Sequence, residues 1–263
     1  MIAVRYQTYT IEDRAANKDL DLLKQYVEDI KKKYKGPFVL VTGDSWSAGE
    51  WDIDKGIEWV ADHSIAKYLE DNHRIASCWA ANPGHADLMS LELTHRYHHL
   101  FDYVVFVKSC SSRVLRYLTE EQLEAMSDAN IFNQWTNHSN LIYKELSLLQ
   151  NKLILIGGLN KINGEGLKLN TFMTIPSIME EYDQEYKASE WFGDEDAWDI
   201  YKKYSKFQKS LLEGMEHFYK QKSYLASKPE LYRAGNDKYH PNRTIHKDLA
   251  DKIAKEIKKY HYL

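Results

Sequence analysis

Pro37-Phe38-Val39-Leu40-Val41-Thr42-Gly43-Asp44-Ser45-Trp46-Ser47 is the stretch whose reading decides the fold. A short, unbroken apolar run that stops abruptly at turn residues reads as a strand buried on both faces. The glycine lets the chain turn tightly, and the serine behind it opens a helix or loop at the sheet edge. A hydroxyl there is exposed, and its backbone N–H is available to an oxyanion. Taken alone, Gly-Asp-Ser is equally the cap of a helix, with Asp44 or Ser45 accepting from the first turn.

Working outward, the same rhythm repeats on both sides. Leu20, Leu23, Val27 and Ile30 recur at helical spacing, and Gly36 closes that helix. Ile57, Val60 and Tyr68 predict the next helix, and RIASCWA (74–80) a second strand. A helix from about His85 to Leu100 leads into DYVVFVKS (102–109), a third strand. Residues 130–150 read as a long helix, KLILIGG (152–158) as a fourth strand, and LKLNTFM (167–173) as a weaker fifth. Uniformly apolar strands separated by helices define a parallel sheet covered on both faces. Residues 176–235 break the rhythm; rich in Tyr, Trp, Lys and Glu, they read as a helical insertion that caps the site within a single domain spanning 1–263.

Composition narrows the function classes. The chain has 263 residues, 43% of them hydrophobic, 28% charged and 13% aromatic, enough for a substantial core. Net charge is −4, with acidic and basic residues mixed, so no basic field marks a nucleic-acid partner. No segment approaches the ~20 apolar residues of a membrane span. The N-terminal residues carry no apolar run of signal-peptide length. The expectation is a soluble, cytoplasmic protein; carriage on a virion leaves the same trace. Cys78 and Cys110 read as two free core thiols rather than a disulfide.

Ligands of open parallel sheets gather beyond the carboxyl ends of the strands, so the chemistry is sought there. Asp237-Lys238-Tyr239-His240-Pro241 precedes the final amphipathic helix (244–260). A carboxylate three residues ahead of a histidine can hold one ring nitrogen and leave the other for a serine. The early Gly-Asp-Ser and the late Asp-x-x-His-Pro together resemble the two ends of the SGNH (GDSL-type) hydrolase family. The final segment, DKYHPNRTIHKDLADKI (237–253), is similar to that family's last block throughout, including the second histidine, here His246. The resemblance runs from about residue 38 to the C-terminus. It implies a flavodoxin-like three-layer α/β/α sandwich, with a central parallel sheet of about five strands and the insertion added. It also implies Ser45, Asp237 and His240 as a catalytic triad.

Two more places fall under the resemblance. Asn82-Pro83-Gly84-His85, after the second strand, looks like the family's second block, which makes the Gly84 N–H an oxyanion donor. The third block has an asparagine after the third strand, where this chain has Ser111. A hydroxyl donates one bond with a shorter reach, and losing such a donor costs about 10²–10³ in turnover. Either Ser111 substitutes, or Asn82 or Asn133 reaches in, or catalysis is impaired. Ser111 followed by Arg113 is similar to divergent, phage-encoded branches of the family. Asp44, Trp46, Asn82 and Arg113 are the expected substrate contacts.

The expected activity is hydrolysis of a small acyl ester, such as an O-acetyl group on a carbohydrate, through an acyl-enzyme on Ser45, with no cofactor and no metal. Two alternatives stay open: a degenerate SGNH scaffold that binds a glycan or protein, and an O-acyltransferase. Glu92, His95, His98 and His99 have metal-binding spacing on one helix, but a solvated helix face accounts for them. The acids of Gly193-Asp194-Glu195-Asp196 read as the first turn of a helix. Trp51, Trp191 and Trp198 offer faces for a sugar ring, though most tryptophans simply pack.

Overall fold

The computed structural model describes residues 17–52, 58–60, 63–81, 86–109, 113, 118–125, 128–158, 160–183, 220, 223–225, 227–228, 231 and 240–261. Among them, five strands form one parallel sheet: β1 (Phe38–Gly43), β4 (Ala76–Ala81), β5 (Tyr103–Lys108), β6 (Leu153–Gly157) and β7 (Met173–Ile175), in the order β4-β1-β5-β6-β7. Their pairing is parallel throughout, with Leu40 opposite Cys78 on one side and Val104 on the other. This is the flavodoxin-like strand order, in which the chain direction reverses at the first strand. The sheet is the α/β architecture that the apolar runs predicted.

Alternation along the strands builds the two faces. Val39, Val41, Val105, Val107, Ile154 and Ile156 pack with Ile65 and Leu69 of α3 (Ile65–His73) and with Ile245, Leu249 and Ile253 of α9 (Arg243–His261). Phe38, Leu40, Val104, Phe106, Leu153 and Leu155 pack on the other side. Their partners are Val27 and Ile30 of α1 (Asn17–Lys33), Leu91 of α4 (Asp87–Tyr97), and Ile142 and Leu146 of α6 (Asp128–Leu146). A strand covered on both faces favours apolar residues along its length, which is why the runs are so largely apolar.

Three segments differ from the sequence expectation. Val60 lies in a strand rather than in the expected helix, and Ile57 lies outside the described residues. Glu50–Asp52 (β2) and Glu58–Val60 (β3) form a two-stranded antiparallel ribbon that pairs Trp51 with Trp59, and α3 starts only at Ile65, capped by Ser64. Tryptophan and valine suit a pleated pair better than a helix, and three-residue strands leave no readable period. The fifth strand lies later than LKLNTFM: residues Gly164–Leu167 form a short helix, α7, capped by Asn163, and only Met173 is shared with the strand. The long helix ends at Leu146, and a 3-10 stretch covers 147–152.

Cys78 lies inside β4 as a buried free thiol, and burial pushes its ionisation well above the usual range. Cys110 lies outside the described residues, as does most of the expected insertion at 176–235. Of that insertion, Ile178–Tyr182 forms a short helix, α8, opened by Ser177.

Candidate active site

The turn after β1 is set by its glycine. Gly43 has φ +142°, and a Cβ there would sit 2.6 Å from Ser47 Oγ and 2.8 Å from the Val107 carbonyl oxygen. Asp44 follows in extended conformation and caps α2 (Ser45–Ala48): its Oδ1 accepts from the Trp46 N–H at 2.9 Å. Its carbonyl accepts from the Ser47 hydroxyl at 2.8 Å. Ser45 is therefore the first residue of a helical turn at the carboxyl end of β1, where backbone N–H groups have no intrahelical acceptor. Asp44 is the helix cap that the first reading of Gly-Asp-Ser expected, and Ser45, the residue after it, is buried rather than exposed.

His240 arrives from the other end of the chain. Asn242 accepts from the N–H groups of Thr244 and Ile245 at 3.0 and 3.1 Å, capping α9. Its own N–H donates to the Leu231 carbonyl. This cap anchors the chain two residues beyond His240, whose Nε2 lies 2.7 Å from Ser45 Oγ across 195 residues of sequence. Both side chains are buried, Ser45 at 3% and His240 at 8% exposure, and the Trp46 ring stands 6.4 Å from the imidazole, tilted by 50°. His246 is buried one turn into α9. The hydroxyl–imidazole pair is the arrangement in which a histidine can take a serine proton.

Asp237, Gly84, Asn82 and Ser111 lie outside the described residues, as do the side chain of Asn133 and the tryptophans at 191 and 198. The remaining expected substrate contacts have an interior setting instead. Trp46 is buried in the core. Asp44 Oδ2 accepts from the Ser109 hydroxyl at 2.7 Å and from Arg113 Nη1 at 2.6 Å, in a fully buried ion pair. Its carboxylate is thus engaged by the Trp46 N–H, Ser109 and Arg113, which ties the turn after β1 to the residues that follow β5.

Sequence reasoning missed four residues beside this turn: Lys108, Asp87, Ser109 and His138. Lys108 ends β5 fully buried, 3.2 Å from Asp87 Oδ2, and the Ser109 N–H donates to Asp87 Oδ1 at 2.6 Å. His138, on α6, is buried beside the same pair, and that burial lowers its affinity for a proton while Asp87 partly restores it. The available signal was a lysine closing an otherwise apolar strand, where a charge is stable only with a partner.

Among the described residues no group of three or more His, Cys, Asp or Glu side chains could hold a metal. His95 instead faces Glu145 at 3.4 Å, and burial and its histidine neighbours keep His98 deprotonated more readily than usual. No described helix is long and apolar enough to cross a membrane.

The architecture is thus that of an open α/β sheet with a serine–histidine pair beyond its first strand. No family model matches the chain, and no curated protein does. Solved structures similar to it include a lipase/acylhydrolase from Enterococcus faecalis, 16% identical, covering 86% of this chain and 97% of that one at a TM-score of 0.40. Others are the esterase EstA from Pseudoalteromonas sp. (15%, 85% and 98%, TM-score 0.39) and Est24, a carbohydrate acetylesterase from Sinorhizobium meliloti (10%, 85% and 99%, TM-score 0.40).

Proposed function

We propose that the protein is an SGNH-type serine esterase that hydrolyses a small acyl ester, with Ser45 as nucleophile and His240 as general base. The observation that carries this reading is the 2.7 Å approach of His240 Nε2 to Ser45 Oγ. In the reaction, Nε2 takes the hydroxyl proton as Oγ attacks the ester carbonyl, and a tetrahedral oxyanion forms. The Ser45 N–H, at the start of α2, stabilises that charge, joined by the Gly84 N–H and the Ser111 hydroxyl. The protonated imidazole returns its proton to the departing alcohol. Water, deprotonated by the same imidazole, then releases the acid and restores Ser45. In this reading Asp237, three residues before His240 in the sequence, is the carboxylate assigned to orient the imidazole and fix its tautomer.

A polar, aromatic-rich insertion and the lack of long apolar stretches favour a short acyl group, such as acetyl on a carbohydrate. The residues named need no cofactor. A second reading, a binding protein on the same scaffold, is favoured by Ser111 standing where the family has asparagine. A series of p-nitrophenyl esters of increasing chain length separates them. The esterase turns over acetate fastest, and Ser45→Ala and His240→Ala each remove that turnover. No turnover of any ester above the Ser45→Ala background contradicts the proposal in favour of the binding protein.

A further inference from the structure

Five polar side chains form one buried chain around the Ser45 turn. Arg113 pairs with Asp44 at 2.6 Å and Lys108 with Asp87 at 3.2 Å. Ser109 joins the two pairs, since its hydroxyl donates to Asp44 Oδ2 at 2.7 Å and its N–H to Asp87 Oδ1 at 2.6 Å. Arg113 Nη1 also donates to Ser109 Oγ at 2.7 Å. Two cations and two anions leave the chain neutral. Its members come from separate parts of the sheet's edge: Asp44 directly after β1, Asp87 opening the helix after β4, and Lys108 with Ser109 closing β5.

Buried ion pairs are a poor route to stability, because apolar groups of the same volume usually pack as well without the loss of hydration. What such pairs do supply is direction. Each carboxylate here holds at least one backbone N–H, Trp46 for Asp44 and Ser109 for Asp87, so the network fixes main chain as well as side chains. Asp44 is the residue directly before Ser45, and a shift of its carboxylate carries the Ser45 hydroxyl and N–H with it. A displacement of about 1 Å at a reacting group can cost about 100-fold in rate.

We propose that the chain Arg113–Asp44–Ser109–Asp87–Lys108 is a positioning device that locks the turn after β1, the start of α4 and the end of β5 together and holds Ser45 in its reactive geometry, with Ser109 as the joining member. The proposal rests on Ser45 being the nucleophile.

The test follows the rate of covalent labelling by a fluorophosphonate together with thermal unfolding. Ser109→Ala removes only the joining hydroxyl and is expected to slow labelling about tenfold or more, with little change in unfolding midpoint. Arg113→Met leaves Asp44 buried without its partner and is expected to destabilise strongly, so it is paired with Asp44→Asn/Arg113→Met. The double variant is expected to regain the unfolding midpoint but not the labelling rate. Labelling of Ser109→Ala at the wild-type rate, or recovery of labelling along with the midpoint in the double variant, overturns the positioning role while leaving the serine reading intact. Wild-type protein that takes no label overturns both.

Discussion

Lys108 and Asp87 face each other at 3.2 Å with 1% and 0% of their side chains exposed, at the end of a strand whose other residues are apolar. Neither charge has water to fall back on. Removing one partner therefore leaves the other stranded in a low-dielectric interior, which costs about 3–5 kcal/mol. Lys108→Met is expected to lose that much in urea unfolding. Lys108→Met/Asp87→Asn, which keeps the acceptor for the Ser109 N–H but no charge, is expected to recover most of it. Equal losses in the single and double variants contradict the pairing.

Gly43 admits no side chain. Its φ of +142° strains any residue with a Cβ, and that atom would meet the Val107 carbonyl, which is main chain and cannot step aside. Gly43→Ala is expected to lose about 1–3 kcal/mol of stability and to disturb the Ser45 turn directly. At Gly164 a Cβ meets nothing within 4 Å, so Gly164→Ala is expected to gain about 0.4–1 kcal/mol. Guanidinium unfolding midpoints moving in the same direction in both variants contradict this account.

Glu70 gives the fold a pH dependence. Burial raises its carboxyl from the usual 4.5 to about 7; Asp71 adds to the effect and Lys67 opposes it. The folded chain thus holds this proton to higher pH than the unfolded chain does. The group's contribution to stability is fully present below about pH 4.5 and is lost as the pH rises through about 7. Glu70→Gln stays neutral throughout, so its unfolding midpoint relative to wild type is expected to rise from pH 5 to pH 8. A difference that stays constant across that range contradicts the assignment.

Much of this fold was legible because the physics is local and repeated. The runs at 38–43, 103–108 and 153–157 are buried at every residue and apolar through their centres, as a doubly covered strand requires, and the helices between them carry readable periods. Where elements shrink to three residues, as at Glu58–Val60 and Met173–Ile175, periodicity vanishes, and register with a neighbouring strand decides instead. At the site, the contact between Ser45 and His240 was foreshadowed only by the pairing of an early Gly-Asp-Ser with a late Asp-x-x-His-Pro, since each motif alone is common. The pairing of Asp44 with Arg113 was not foreshadowed. An aspartate beside a nucleophile looks the same in sequence whether it faces a substrate or a buried guanidinium; only the 2.6 Å contact between them distinguishes the two. Ser109 was silent for the same reason, since a serine after a strand carries no mark of the two carboxylates it joins.

In the proposed reaction the Ser45 hydroxyl, held against the His240 imidazole, forms a covalent bond to an acyl carbon. The most direct test is mass spectrometry of the intact and digested protein after exposure to a fluorophosphonate. The account predicts one phosphonyl adduct per chain, carried on the peptide containing Ser45. It also predicts no adduct in Ser45→Ala and labelling slowed by about 10²–10⁴ in His240→Ala. An adduct on another residue, or an unmodified Ser45 after prolonged exposure, contradicts it.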